Sequence, residues 1–175
     1  MGEGGVGKTT LLYRYLNGFF MDSTKMTIGT DFFTKNIQIT KDGNEISGKM
    51  LIWDLGGQDR FRFMMKDYMK GAEGIILAYD LTRLNTLLKI TGWVNILEQA
   101  KIPVDGSIPI ILIGTKKDLI DPKSDDVESR NGYIDEIKDR CKISYYSETS
   151  SVTGENIEQC FDFILSDFIK KSIKK

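Results

Sequence analysis

Gly2-Glu3-Gly4-Gly5-Val6-Gly7-Lys8-Thr9 opens the chain directly behind Met1. The eight positions fit G-x-x-x-x-G-K-[ST], a loop that wraps phosphate. Its glycines let the backbone turn tightly and bring N–H groups against phosphate oxygens. Lys8 sets a positive charge beside the β- and γ-phosphates, and the Thr9 hydroxyl is a ligand for Mg²⁺. Thr10 to Leu16 reads as a helix start, so its free N–H groups and dipole add to the anion site. Such a loop leaves the carboxyl end of a buried strand. Met1 leaves no room for that strand. The expectation is an N-terminally short domain, by truncation or by a start set too late, whose absent strand would bare two edges.

Beyond the loop, a helix is predicted over 9–18 and a loop over Phe19 to Gly29. Asp31–Thr40 and Glu45–Asp54 read as strands of an antiparallel hairpin, turning at Lys41-Asp42-Gly43-Asn44. Asp59–Lys70 suits a short helical or mobile segment. Gly74–Asp80 and Pro109–Gly114 are nearly continuous apolar runs, the pattern of strands covered on both faces. Leu84–Gln99 has apolar residues at helical spacing. A helix is predicted to reach about Cys141, then a short strand over Ile143–Ser147 and an amphipathic helix over Asn156–Lys171. Buried strands alternating with helices imply a mostly parallel sheet in a three-layer α/β sandwich. Ligands then sit beyond the carboxyl ends of the strands.

At 175 residues the chain suits one domain, 1–175. Lys plus Arg number 24 and Asp plus Glu 25, so nothing invites nucleic acid. There is no histidine, which excludes imidazole catalysis and a His/Cys zinc site. Two cysteines, Cys141 and Cys160, make a poor disulfide framework, and a cytoplasmic setting is expected. No apolar run approaches the ~20 residues that span a bilayer, and no leader is expected before the loop.

Three further motifs follow predicted strands. Asp54-Leu55-Gly56-Gly57-Gln58 sets a carboxylate at a strand end for Mg²⁺, a bare glycine N–H for a γ-phosphate, and an amide that can orient water. Thr115-Lys116-Lys117-Asp118 offers a carboxylate able to pair with guanine N1 and N2. Adenine cannot make that pairing, and a buried carboxylate left unpaired rejects the wrong base. Glu148-Thr149-Ser150-Ser151 can present a backbone N–H to guanine O6.

In this order and spacing the residues resemble the Ras superfamily of small GTPases over essentially the whole chain, and the Rab branch most. Thr27-Ile28-Gly29-Thr30-Asp31-Phe32 is similar to that branch's T-I-G-x-D-F, and Gly71–Thr82 to its G-A-x-G-I-I-L-V-Y-D-V-T. Glu148-Thr149-Ser150 with Asn156-Ile157-Glu158 and Phe161 resembles its ending. The resemblance implies that Gly4, Gly5, Val6, Gly7, Lys8, Thr9 and Thr10 hold phosphates and that Phe20 lies against the guanine ring. It implies that Thr27 gives Mg²⁺ a hydroxyl beside Thr9 and Asp54, that Gly57 senses the γ-phosphate and that Gln58, with Lys8, serves catalysis. Thr115, Lys116, Asp118, Ser150, Ser151 and Val152 would surround the base. Thr115 stands where the branch has Asn, Ser151 and Val152 where it has Ala and Lys, and Gly56 where it has Ala, the last giving an Arf-like W-D-L-G-G-Q.

The reading is a GTP-binding switch with slow Mg²⁺-dependent hydrolysis, cycling between GTP and GDP in signalling or vesicle trafficking. Effector, exchange and GTPase-activating proteins would engage switch I (about 20–34) and switch II (about 55–71). A monomer is expected, cytoplasmic or at the cytosolic face of a membrane. The carboxyl end lacks a prenylation box, and its lysines are expected to be a solvated helix end. The alternatives are a nucleotide-locked module with negligible hydrolysis and an ATP-dependent P-loop enzyme. Trp53 and Trp93 are expected to pack in the core.

Overall fold

The computed structural model describes residues 1–22, 26–41, 44–58, 65, 67–121 and 126–172. Helix α1, Lys8–Asn17, begins at Gly7 with φ 94°, a left-handed turn that suits glycine. It ends at Gly18, whose N–H donates to the Arg14 carbonyl at 2.9 Å. Strands β1, Thr30–Lys41, and β2, Asn44–Leu55, pair antiparallel with Asp31 opposite Asp54. Strands β3, Ile75–Asp80, β4, Ile110–Thr115, and β5, Tyr145–Glu148, form a parallel sheet in that order. Helices α2, Leu84–Leu88, and α3, Ile90–Gln99, join β3 to β4. Helix α4, Asp126–Cys141, leads to β5, and α5, Ile157–Ser172, closes the described chain.

Strands β3 and β4 are covered on both faces, which is why their sequences are apolar without alternation, whereas β5, Tyr145-Tyr146-Ser147-Glu148, is only partly buried. In β4, Ile110 and Leu112 face one core with Leu87, Trp93, Leu97 and Ile134. Ile111 and Ile113 face the other with Leu11, Leu12, Tyr15, Ile157 and Phe161. Each such aliphatic side chain contributes about 1.5–3 kcal/mol by leaving water. The helices therefore lie in two layers around the sheet, as the alternating pattern predicts.

Two expectations need correction. The segment 84–99 is not one helix: it breaks at Lys89, where the N–H groups of Gly92 and Trp93 both return to the Lys89 carbonyl. Trp53 is not in the core but is 40% exposed, because β2 alternates and sends Leu51 and Trp53 outward. Met50 and Ile52 point inward to the second core. Trp93, by contrast, is fully buried. Of the segment predicted over 59–70, Met65 and Met69 are core residues, whereas residues 59–64, with Met64, and the 42–43 turn lie outside the described part.

The β1–β2 pair and the β3–β4–β5 sheet share no ladder among the described residues. Beside β3, Met1 makes one parallel-type rung. Its amino group donates to the Ile76 carbonyl at 2.6 Å and its carbonyl accepts from the Ala78 N–H at 2.8 Å. No helix among the described residues is long and apolar enough to cross a membrane.

Candidate functional site

The phosphate-loop residues from Gly2 lead into the start of α1 beside the strand ends, where Gly57 after β2 presses on Gly2–Gly4 and Thr115 of β4 meets the Val6 carbonyl. Lys8 turns back into its own loop, its Nζ donating to the carbonyls of Gly2 at 2.7 Å and Glu3 at 2.9 Å. Burial drives its pKa down to about 8, against the opposing pull of Asp54 and Glu3. An incoming anion would favour its protonated form further. Thr10 follows on α1.

Thr9, Thr27 and Asp54 come from a helix start, a loop and a strand end, yet their oxygens meet. The Thr9 hydroxyl donates to Asp54 Oδ2 at 2.5 Å and lies 2.7 Å from the Thr27 hydroxyl, which is 3.4 Å from the same carboxylate oxygen. All three are hard oxygen donors. Neighbouring ligands of an octahedral Mg²⁺ sit about 2.9 Å apart, given metal–oxygen distances of about 2.05 Å. The donor set and its spacing fit that ion.

Gly57 is pressed on the phosphate loop. A Cβ there would lie 2.3 Å from Glu3 C and 2.4 Å from both Gly2 O and Gly4 N, so only glycine fits. Gly56 is equally tight against the other loop: its N–H donates to the Gly29 carbonyl at 2.8 Å, and a Cβ would meet the carbonyls of Gly29 and Thr27. Gln58 is half-buried and donates from Nε2 to Met26 Sδ at 2.7 Å. The 26–29 and 56–58 segments are thus joined to each other and to the phosphate loop.

The base-side residues also converge. Thr115 is buried, and its hydroxyl donates to the carbonyls of Val6 at 2.6 Å and Tyr79 at 2.9 Å. A threonine thereby ties the phosphate loop to β3, a linkage that needs only a hydroxyl. Lys116 adopts φ 62°. Asp118 is exposed and accepts at Oδ1 from the buried Ser150 hydroxyl at 2.6 Å. The Lys117 N–H donates to the Thr149 carbonyl at 3.0 Å, joining the two base loops. Ser151 is half-buried and Val152 exposed beside them. Phe20 lies at the surface, outside both cores.

Sequence reasoning missed three residues. Glu3 accepts from Trp93 Nε1 at 3.1 Å and pairs with Lys89 at 3.0 Å, fixing the loop to α3. Asp80 is fully buried and pairs with Lys116 at 2.7 Å and with Arg83 at 2.8 Å. Arg83 in turn reaches the Gly4 carbonyl at 3.4 Å. Their signal was position: Asp80 ends a buried strand on the edge where ligands bind.

A phosphate loop on an α/β sheet, with carboxylate and hydroxyl ligands at strand ends, defines a P-loop nucleotide-binding protein. Sequence comparison narrows the class. The Ras family profile matches residues 1–170. The chain is 31% identical over 170 residues to GTP-binding protein ypt4 of Schizosaccharomyces pombe, covering 97% of this chain and 70% of that one. It is 34% identical over 175 residues to Ras-related protein RABA4a of Arabidopsis thaliana, covering 100% and 72%. It is 36% identical over 177 residues to Ras-related protein Rab-27B of Homo sapiens, covering 98% and 78%. The chain belongs to the Ras family, and these relatives place it among its Rab-like members.

Proposed function

We propose that this protein is a guanine-nucleotide switch of the Rab kind, serving vesicle trafficking or signalling and hydrolysing GTP slowly. The observation that carries the reading is the meeting of Thr9, Thr27 and Asp54, with Gly57 seated on the phosphate loop. Both mobile-loop candidates thereby reach the place where a γ-phosphate would bind. Mg²⁺, held by Thr9, Thr27 and Asp54, would supply positive charge against the phosphates. Lys8 adds charge from inside the loop. Asp118 selects guanine, with Ser150 orienting its carboxylate, and Phe20, Lys116, Ser151 and Val152 complete the base site. Gln58 leaves Met26 and holds the attacking water. Loss of the γ-phosphate frees Thr27 and Gly57, and the two loops relax.

The partner surface lies beside those loops. Phe32 is 58% exposed and sits 5.6 Å, ring to ring, from Trp53, which is 5.1 Å from Tyr68. An exposed aromatic row of this kind suits docking of an effector. Exchange and GTPase-activating partners would use the same two loops, the latter supplying an arginine, since Arg83 is engaged by Asp80. One observation favours the nucleotide-locked alternative: Gln58 is bonded to Met26 rather than free. Single-turnover hydrolysis of preloaded GTP separates the two. The expected result is slow turnover in the natural protein, reduced about tenfold or more in Gln58→Leu, in line with the 10²–10⁴-fold worth of a positioned proton or water handler. Equal rates in both, or equal competition by ATP, defeats the switch reading.

A further inference from the structure

Four successive carbonyls or side chains of the phosphate loop are held from outside. Glu3 is held by Trp93 and Lys89, the Gly4 carbonyl by Arg83, the Gly5 carbonyl by Lys116 at 3.3 Å, and the Val6 carbonyl by Thr115. Two of these four anchors share one origin. Asp80 Oδ2 takes Arg83 Nε at 2.8 Å and Lys116 Nζ at 2.7 Å, while Oδ1 takes the N–H and hydroxyl of Thr82. The carboxylate is fully buried and has cations or donors on both oxygens, the condition under which a buried charge is tolerated.

Peptide geometry makes this arrangement consequential. In a trans peptide the C=O and the following N–H point in opposite directions, and the described chain has no cis bond. Drawing the Gly4, Gly5 and Val6 carbonyls outward therefore turns the N–H groups of Gly5, Val6 and Gly7 inward, toward the phosphate side. We infer that Asp80 is a positioning residue for the phosphate loop, acting through Arg83 and Lys116 to hold that row of amides aimed at the nucleotide. Arg83 is the exposed half of the device, its side chain 43% exposed. Lys116 sits on a left-handed backbone, φ 62°, a conformation that persists only where its surroundings hold it. The inference rests on the nucleotide-binding reading and adds a residue to it.

The test is release of fluorescently labelled GDP from the natural protein, Arg83→Ala, Asp80→Asn and the double variant. Arg83→Ala should speed release about 3- to 10-fold and Asp80→Asn about 10-fold or more, the scale of one or two charge-assisted hydrogen bonds. Asp80 acts through Arg83, so the double variant should match Asp80→Asn within about twofold. Effects that multiply in the double variant overturn the inference. So does an unchanged release rate in Arg83→Ala, a surface change that the fold tolerates and that decides the matter should Asp80→Asn fail to fold. A merely structural role would also shift the urea midpoint of nucleotide-free Arg83→Ala, and the positioning role leaves it in place. Natural protein that takes up no labelled GDP overturns the nucleotide reading as well. Normal uptake with an unaffected Arg83→Ala overturns this inference alone.

Discussion

Gly56 is the residue at which this chain departs from its branch most tellingly. A Cβ there would stand 2.7 Å from the Gly29 carbonyl and 2.9 Å from the Thr27 carbonyl, both backbone atoms with little freedom to move. Gly56→Ala should push the 27–29 segment off and carry Thr27 away from Thr9 and Asp54. Overpacking of this kind costs about 1–3 kcal/mol, so affinity for a GTP mimic should fall roughly 5- to 100-fold relative to GDP. Titration of both nucleotides in excess Mg²⁺ checks it, and an unaltered ratio between them counts against the contact. At this scale the phosphate loop, Asp54 and Asp118 stood out in the sequence by their motifs, and Thr27 by the resemblance alone; the structure brings Thr9, Thr27 and Asp54 together and sets Ser150 on Asp118. Asp80 and Arg83 were not, since an aspartate closing an apolar run looks like an ordinary strand end until its neighbours from β4 are in place. Asp80 also shows what the surroundings decide. Burial pushes its pKa up, but hydrogen bonds from Lys116, Thr82 and Arg83 outweigh that and hold it below the usual carboxylate range.

Helix α5 illustrates the next scale. Its apolar face, read from period alone, comprised Ile157, Cys160, Phe161, Ile164, Leu165 and Phe168; the first three are buried, Ile164 and Leu165 half-buried, and Phe168 exposed. What period cannot show is the partner. Phe161 stacks on Tyr15 of α1, with ring centroids 3.6 Å apart and planes 6° from parallel. The helix that follows the phosphate loop is therefore braced by the last helix of the described chain. Phe161→Ala should cost about 3–5 kcal/mol, the usual loss for a buried aromatic, read as a fall in the urea midpoint with nucleotide held at a fixed excess. A cost below about 1 kcal/mol would mean that the stack is not built into the folded core. Strands β3 and β4 were legible because burial on both faces leaves nothing polar to confuse the pattern. The break at Lys89 was not, because apolar spacing runs through it unchanged while Lys89 and Trp93 are drawn to Glu3. Trp53 was misjudged for a related reason. The run Met50-Leu51-Ile52-Trp53 is wholly apolar, so only pairing with β1 reveals which half faces water.

For the whole molecule the division between the two sheets matters most. The parallel sheet is enclosed by both cores, whereas the β1–β2 pair is attached through Phe33, Met50 and Ile52 on the second core and, at its end, through Leu55 on the first. Its other described ties include Lys35 on the Tyr15 carbonyl and ring, the Tyr13–Phe33 and Trp53–Tyr68 ring contacts, and the Thr9, Thr27 and Asp54 oxygens. Regions with few buried apolar contacts open locally at a fraction of the global free energy. Native-state hydrogen exchange should therefore show β3, β4 and β5 amides protected to the global limit and β1–β2 amides opening at a free energy lower by several kcal/mol. A GTP mimic with Mg²⁺ should raise protection around 27–30 and 54–57, because it adds ties at the very residues that connect the pair to the rest. GDP should do so much less, having no γ-phosphate to engage Thr27 and Gly57. Equal protection across all five strands would make the pair part of one cooperative unit. A body that can loosen while the sheet stays folded is what a switch requires, since ligand then needs to supply only the small free energy separating two attachments of the pair, not the energy of unfolding the domain.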